Sequence, residues 1–171
     1  MNWTIFHQNV FPIRHKLYRF ALRLTGSVQE AEDIVQEVLE RVWKIPEAQS
    51  AAVQNWQAWC MTMTRNRSLD KIKMQTQRRT APLDPNLDRP AAGYNPQQET
   101  EARDFVVQVR RMMDELPEKQ RLVMHLRDIE ELSYDEIAAV LDITLDQVKV
   151  NLHRARKAIR EKLLVADLSL P

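Results

Sequence analysis

Glycine is almost missing from this chain of 171 residues: there are two, Gly26 and Gly93, and neither falls inside a periodic segment. No glycine-rich loop that could cradle a phosphate is therefore present. Cysteine is rarer still. A single Cys60 excludes an internal disulfide framework and offers no metal cluster. The four histidines, His7, His15, His125 and His153, are scattered along the chain rather than set at metal-ligand spacing. A helical enzyme would need a convergent set of titratable groups, and none is apparent, so the expectation is no catalytic residue, no metal and no cofactor. A net charge of +1 shows that the protein is not a polycation, so any nucleic-acid contact must come from local patches. No stretch approaches the length of a membrane span, and the N-terminus has no apolar run bounded by a cleavage site. Membrane insertion is not expected, and a cytoplasmic location is the default.

What is abundant is helix-forming sequence. Hydrophobic residues make up 44% and charged residues 29% of the chain, a composition of folded rather than disordered protein. With few alternating β-branched runs, the expected fold is all-α. The most informative stretch is Ser133 to Arg160. Ser133 followed by Glu136 is a capping box that opens a short helix with Ile137, Ala138, Val140 and Leu141 on its buried face. Asp142-Ile143-Thr144 makes a turn, since Asp tolerates the left-handed conformation that ends helices. Thr144 with Gln147 forms a second capping box. In the helix that follows, Val148, Leu152, Ala155, Ile159 and Leu163 recur at spacings of four, three, four and four, one apolar stripe. Lys149, His153, Arg154, Arg156, Lys157 and Arg160 occupy the other faces.

A short helix, a tight turn and a basic helix fit a major groove wide enough to admit one helix. Charge is distributed accordingly. From Glu99 to Asp142, 6 basic residues face 12 acidic ones, a net of −6; from Ile143 to Leu163, 6 face 2, a net of +4. Positive charge is thus concentrated on the element that would meet phosphate.

The rest of the chain divides into three segments: residues 1–75 with three helical patterns, a linker at 76–98 holding Pro82, Pro85, Pro90 and Pro96, and residues 99–171 with four more helical patterns. Two small helical domains on a flexible linker, the C-terminal one a helix-turn-helix, is the predicted architecture. In the first segment, Ile5 to Leu24 reads as one helix ending near Gly26. Ser27 and Glu30 form a third capping box before a helix at Val28–Trp43, which carries apolar pairs every four residues and an acidic face. A third helix, from about Asn55 to Met74, mixes Trp56 and Trp59 with Arg65, Asn66, Arg67, Lys71 and Lys73. Rings among cations suit single-stranded DNA, because phosphates are neutralised while bases stack. Core packing and solvated lysines account for the same residues equally well.

These pieces, in this order, resemble the extracytoplasmic-function (ECF) sigma factors of the sigma-70 family. AEDIVQEVLERVW (Ala31–Trp43) is similar to the family's polymerase-binding helix, and WQAWCMTMTRNRSLDKIK (Trp56–Lys73) to the segment that reads and melts the −10 element. Leu116–Ile159 is similar to the domain that reads the −35 element. The resemblance implies a transcription initiation factor with three partners: core RNA polymerase, through the β′ clamp helices and the β flap; promoter DNA; and an anti-sigma factor. It implies polymerase contacts at Asp33, Gln36, Glu37, Glu40 and Arg41. It implies −10 contacts at Asn55, Trp56, Arg65, Asn66, Lys71 and Lys73. It implies −35 contacts at Lys149, Val150, His153 and Arg154, with Arg156 and Lys157 on phosphates. Val150, Asn151 and Asp146 depart from residues common in the family, so the −35 preference does not carry over. The competing reading is a helix-turn-helix regulator that never engages polymerase. The acidic helix and the aromatic-basic helix of the first segment are what such a regulator would not need.

Overall fold

The computed structural model describes residues 2–79 and 101–167, and among these every regular element is helical. The chain divides into two compact units, Met1–Gly93 and Tyr94–Pro171. Residues 80–98 of the expected linker lie outside the described residues. Among the described residues no helix is long and apolar enough to cross a membrane.

In the first unit, the single helix expected at Ile5–Leu24 is broken. A short α1 (Trp3–Ile5) leads into a wide turn at Phe6–Val10, a tight turn at Phe11–Ile13 and then α2 (Arg14–Thr25). Pro12 is the cause: it has no N–H to donate, and its ring would strike the carbonyl four residues back in a continuous helix. The preceding turn widens instead, with the Phe11 N–H donating to the Phe6 carbonyl five residues back. Gly26 ends α2 in the left-handed conformation, at φ 69°.

Ser27 then caps α3 (Val28–Trp43), accepting from the Glu30 N–H at 3.3 Å. The other half of the expected box does not form, because the Glu30 carboxylate turns to α5. A short α4 (Glu47–Ala52) follows. The periodicity gave no sign of it, since Glu47–Ala52 is under two turns long and has no apolar stripe. The last helix of the unit, α5, runs Trp56–Arg79, so residues 75–79 continue it beyond the expected end at Met74, and 76–79 are helix where linker was expected. Leu17, Phe20, Ala31, Ile34, Val38, Val42 and Met61 form the core where α2, α3 and α5 meet. Cys60, Thr64 and Ser68 line one side of α5, all buried. The two hydroxyls donate to carbonyls one turn back, so small polar residues pack there without an unmet donor. Burial pushes the Cys60 thiol up to about 12, which leaves it protonated and unreactive.

The second unit is α6 (Glu101–Asp114), α7 (Glu118–Met124), a wide turn at His125–Ile129, α8 (Tyr134–Leu141) and α9 (Leu145–Asp167). Its core joins Met113, Leu122, Val123, Leu126, Leu132, Ile137 and Val140 to the stripe Val148–Leu152–Ala155–Ile159, all buried as the spacing predicts. Leu163, the last member of the stripe, is half-buried. Beneath the wide turn, His125 Nε2 lies 3.3 Å from Glu130 Oε1, with both side chains buried. Glu131 takes a left-handed φ of 63° as the chain leaves this turn.

Candidate functional site

Local chemistry sets the geometry of the helix-turn-helix. The Ser133 N–H donates to Glu136 Oε2 at 2.6 Å and the Glu136 N–H to Ser133 Oγ at 3.3 Å, so the first capping box is complete. Asp142 ends α8 at φ 54°, its N–H donating to the Ala138 carbonyl. The second box closes the same way. The Thr144 N–H donates to Gln147 Oε1 at 3.0 Å, and the Gln147 N–H to Thr144 Oγ1 at 3.2 Å. Each box satisfies two backbone donors that a helix start leaves unmet, and together they fix the angle at which α9 leaves the turn.

Burying Val148, Leu152, Ala155 and Ile159 turns the opposite face outward. Lys149, Val150, His153, Arg154 and Lys157 share that face at spacings of one, three, one and three, and all are exposed. Val150 is 45% exposed, an apolar side chain among four polar ones. Lys149 lies 4.0 Å from Asp146 and Lys157 3.8 Å from Glu161, loose pairs between well-solvated groups that salt screens readily. Arg156 differs. Its guanidinium is bidentate on Asp128, with Nε at 3.2 Å, and this hydrogen bonding holds the arginine above its usual range. It ties α9 to the turn after α7. The Asn151 amide donates to the Gln147 carbonyl at 2.7 Å, one turn back along its own helix.

In the first unit the geometry sorts the charged residues in a way the sequence did not reveal. Glu30, Asp33 and Glu37 form one stripe of α3, and Arg67, Lys71 and Gln75 one stripe of α5. The two stripes face each other. Lys71 Nζ stands 3.2 Å from Glu30, 3.5 Å from Asp33 and 3.5 Å from Glu37, with 16% of its side chain exposed. Gln75 donates to Glu30 at 2.9 Å, and Arg67 donates to Glu37. The Arg67 hydrogen bond, outweighing burial, holds the Glu37 carboxyl below its usual range. Burial pulls Lys71 down, but its hydrogen bond to Glu30 and the three carboxylates outweigh it and raise the ammonium. The expectations for Lys71 as a DNA contact and for Glu37 as a polymerase contact therefore meet a fold that uses both groups to clamp α3 on α5. Spacings of three and four among acids on one helix, matched by four and four on another, were the available signal.

Gln36 and Glu40 are exposed on α3, with the Gln36 amide 3.5 Å from Glu40; Arg41 is exposed beside them. Gln36 and Glu40 also line an open groove of about 460 Å³ between α2 and α3, whose other wall includes Arg14, His15 and Tyr18. Asn55 caps α5, its Oδ1 accepting from the Ala58 N–H at 2.9 Å. Trp56 and Trp59 are half-buried and meet edge to face at 5.7 Å. Asn66 and Lys73, two turns apart, are exposed on the same side of α5, and Arg65 lies 3.5 Å from the Asn66 side chain. Lys71, two residues from Lys73, points to the other side.

Comparison with known proteins gives two family matches in chain order: Sigma-70 region 2 over residues 13–78, and Sigma-70, region 4, over residues 107–159. The chain is 34% identical over 154 residues to the ECF RNA polymerase sigma factor SigE of Mycolicibacterium smegmatis, covering 86% of this chain and 57% of that protein's length. It is 31% identical to the ECF RNA polymerase sigma factor SigL of Mycobacterium tuberculosis, covering 84% of this chain and 80% of the relative. Among solved structures, the sigma factor RpoE from Bartonella quintana, in complex with the anti-sigma factor NepR, shares the fold. The TM-score is 0.67 at 22% identity, over 94% of this chain and 97% of that one.

Proposed function

This chain belongs to the ECF RNA polymerase sigma factors of the sigma-70 family, and we propose that it binds core RNA polymerase and directs promoter-specific transcription initiation in the cytoplasm. It acts as a binding subunit and contributes no catalytic group. The observation that carries this reading is the exposed basic face of α9, set by two complete capping boxes, in a chain whose other unit matches region 2. A duplex-binding regulator has no use for region 2, and that reading is not favoured.

The exposure and pairing of these side chains support one assignment of surfaces. Lys149, Val150, His153 and Arg154 read the −35 element, with Lys157 on phosphate. Arg156 positions α9 through Asp128 and reaches DNA only at the margin. Asn66, Arg65 and Lys73, with Trp56 behind the Asn55 cap, form the −10 surface, from which Lys71 is withdrawn. Gln36, Glu40 and Arg41 dock on the β′ clamp helices, while Asp33 and Glu37 belong mainly to the α3–α5 clamp. The second unit meets the β flap. An anti-sigma factor that covers these surfaces is a further partner, in keeping with the fold shared with RpoE. Titration of the labelled chain with core polymerase tests the docking: saturable binding supports it, and its absence removes the sigma-factor reading.

A further inference from the structure

The first 29 residues contain no aspartate or glutamate, against four basic residues, Arg14, Lys16, Arg19 and Arg23, and two histidines. At the start of this acid-free stretch lies a continuous chain of rings that the functions above do not use. The Arg14 guanidinium sits 4.1 Å over the Phe11 ring. Phe11 stacks on His7, with centroids 5.6 Å apart and planes 12° from parallel. His7 is 5.6 Å from Trp3, and Trp3 meets Trp43, at the end of α3, edge-on at 5.9 Å. Phe6 braces Trp43 from the side at 5.3 Å. Despite these mutual contacts the large rings remain open to solvent: Trp3 is 65% exposed, Trp43 42% and Phe11 40%. A lone exposed ring is ordinary, but joined rings form a patch, and patches of that kind mark binding surfaces.

We propose that this aromatic-cationic cluster is a stacking platform for single-stranded DNA, separate from the −10 surface on α5. The inference rests on the reading of the chain as a sigma factor, which supplies the opened strand. Its chemistry argues for a nucleic acid on its own terms. Every base has a flat π-face to lay on an indole or a phenyl ring, and phosphates between bases require a nearby cation. The Arg14 guanidinium over Phe11 supplies one, and the stretch that carries Trp3, Phe6, His7 and Phe11 has no carboxylate of its own, while Glu32 and Glu40 of α3 line the groove that Arg14 and His15 share. Pro12, by breaking the first helix, creates the turns that carry His7 and Phe11, so the platform and the kink have one cause. A guanidinium at one end and an imidazole between two rings break up the apolar surface, which fits a polymer of alternating bases and phosphates better than a continuous apolar surface such as a bilayer.

The test uses the full chain and a fluorescently labelled 12-nucleotide oligothymidine, with a duplex of equal length and phosphatidylserine vesicles as separate arms. The wild-type chain is expected to bind the single strand. The double substitution Trp3→Ala/Phe11→Ala is expected to weaken that binding at least about tenfold, the loss of one or two base stacks. Trp3→Phe, which retains a ring, should retain most of it. Helical circular dichroism and core polymerase binding should be unchanged. No binding of the single strand by wild type, unchanged affinity in the double variant, or an equal loss for the duplex overturns the proposal. So does a loss confined to the vesicles. Because core binding is measured on the same preparations, failure of the sigma-factor reading appears there and failure of the platform appears with the oligonucleotide.

Discussion

Lys71 on α5 stands 3.2 Å from Glu30 on α3, with Asp33 and Glu37 closing round the same ammonium. This contact holds together the two helices that carry the proposed polymerase and −10 surfaces. Lys71→Ala is expected to destabilise the first unit by on the order of 1–2 kcal/mol, lowering its melting temperature by roughly 5–10 °C. The same clamp should respond to acid. Glu37 is held below its ordinary value of 4.5, so its contribution is fully present above that pH and is lost as the pH falls through the depressed folded value. Thermal melts from pH 6 to pH 3 should therefore show a loss of stability that is smaller in Glu37→Gln. Parallel pH profiles for the two proteins would contradict the assignment.

Polymerase docking should separate from stability at neighbouring positions. Glu40→Lys changes an exposed group and is expected to weaken core binding with no change in melting temperature. Glu37→Lys sets a third positive charge against Arg67 and Lys71 and should lower stability as well. Titration with core polymerase beside thermal melts distinguishes them. Wild-type affinity in Glu40→Lys would remove this face as the docking surface.

Much of this fold was legible because the signals were local. Ser133 with Glu136 and Thr144 with Gln147 closed as capping boxes, and Val148, Leu152, Ala155 and Ile159 turned inward as their spacing required. Ser27 and Glu30 followed the same pattern but formed only half a box, because Glu30 found a tertiary partner in Lys71 that no local rule contains. Arg156 and Asp128 are 28 residues apart, and Trp3 and Trp43 are 40 apart; pairs like these depend on how helices pack. Pro12 was different. Its cost to a helix is local physics, and the apolar pattern from Ile5 to Leu24 concealed it.

The recognition helix should divide its labour. A base-contacting arginine is worth about 1–3 kcal/mol, and its loss relaxes preference at one position. Loss of a phosphate-contacting lysine lowers binding to all sequences and reduces the salt slope by about one. Arg154→Ala is expected to change sequence preference, and Lys157→Ala to weaken binding uniformly. Asp128→Ala, which releases Arg156, should weaken all sites alike through loss of helix position. Binding to a library of −35 variants at several salt concentrations reads all three. An even loss across the library in Arg154→Ala would move that residue to the phosphate contacts.

Strand opening should depend on the exposed side of α5. Asn66→Ala is expected to leave binding to duplex promoter nearly intact and to reduce the permanganate reactivity of thymines in the opened −10 region. Equal loss of both signals would make Asn66 a residue of folding rather than of melting.

Run-off transcription with purified core RNA polymerase, on the DNA upstream of the chain's own gene, tests the central claim most directly. The expected result is a discrete transcript that requires the chain, is diminished by Glu40→Lys and depends on a −35 element read by Arg154. Core polymerase that binds the chain yet yields no chain-dependent transcript from that template or from a library of random promoters would contradict the account.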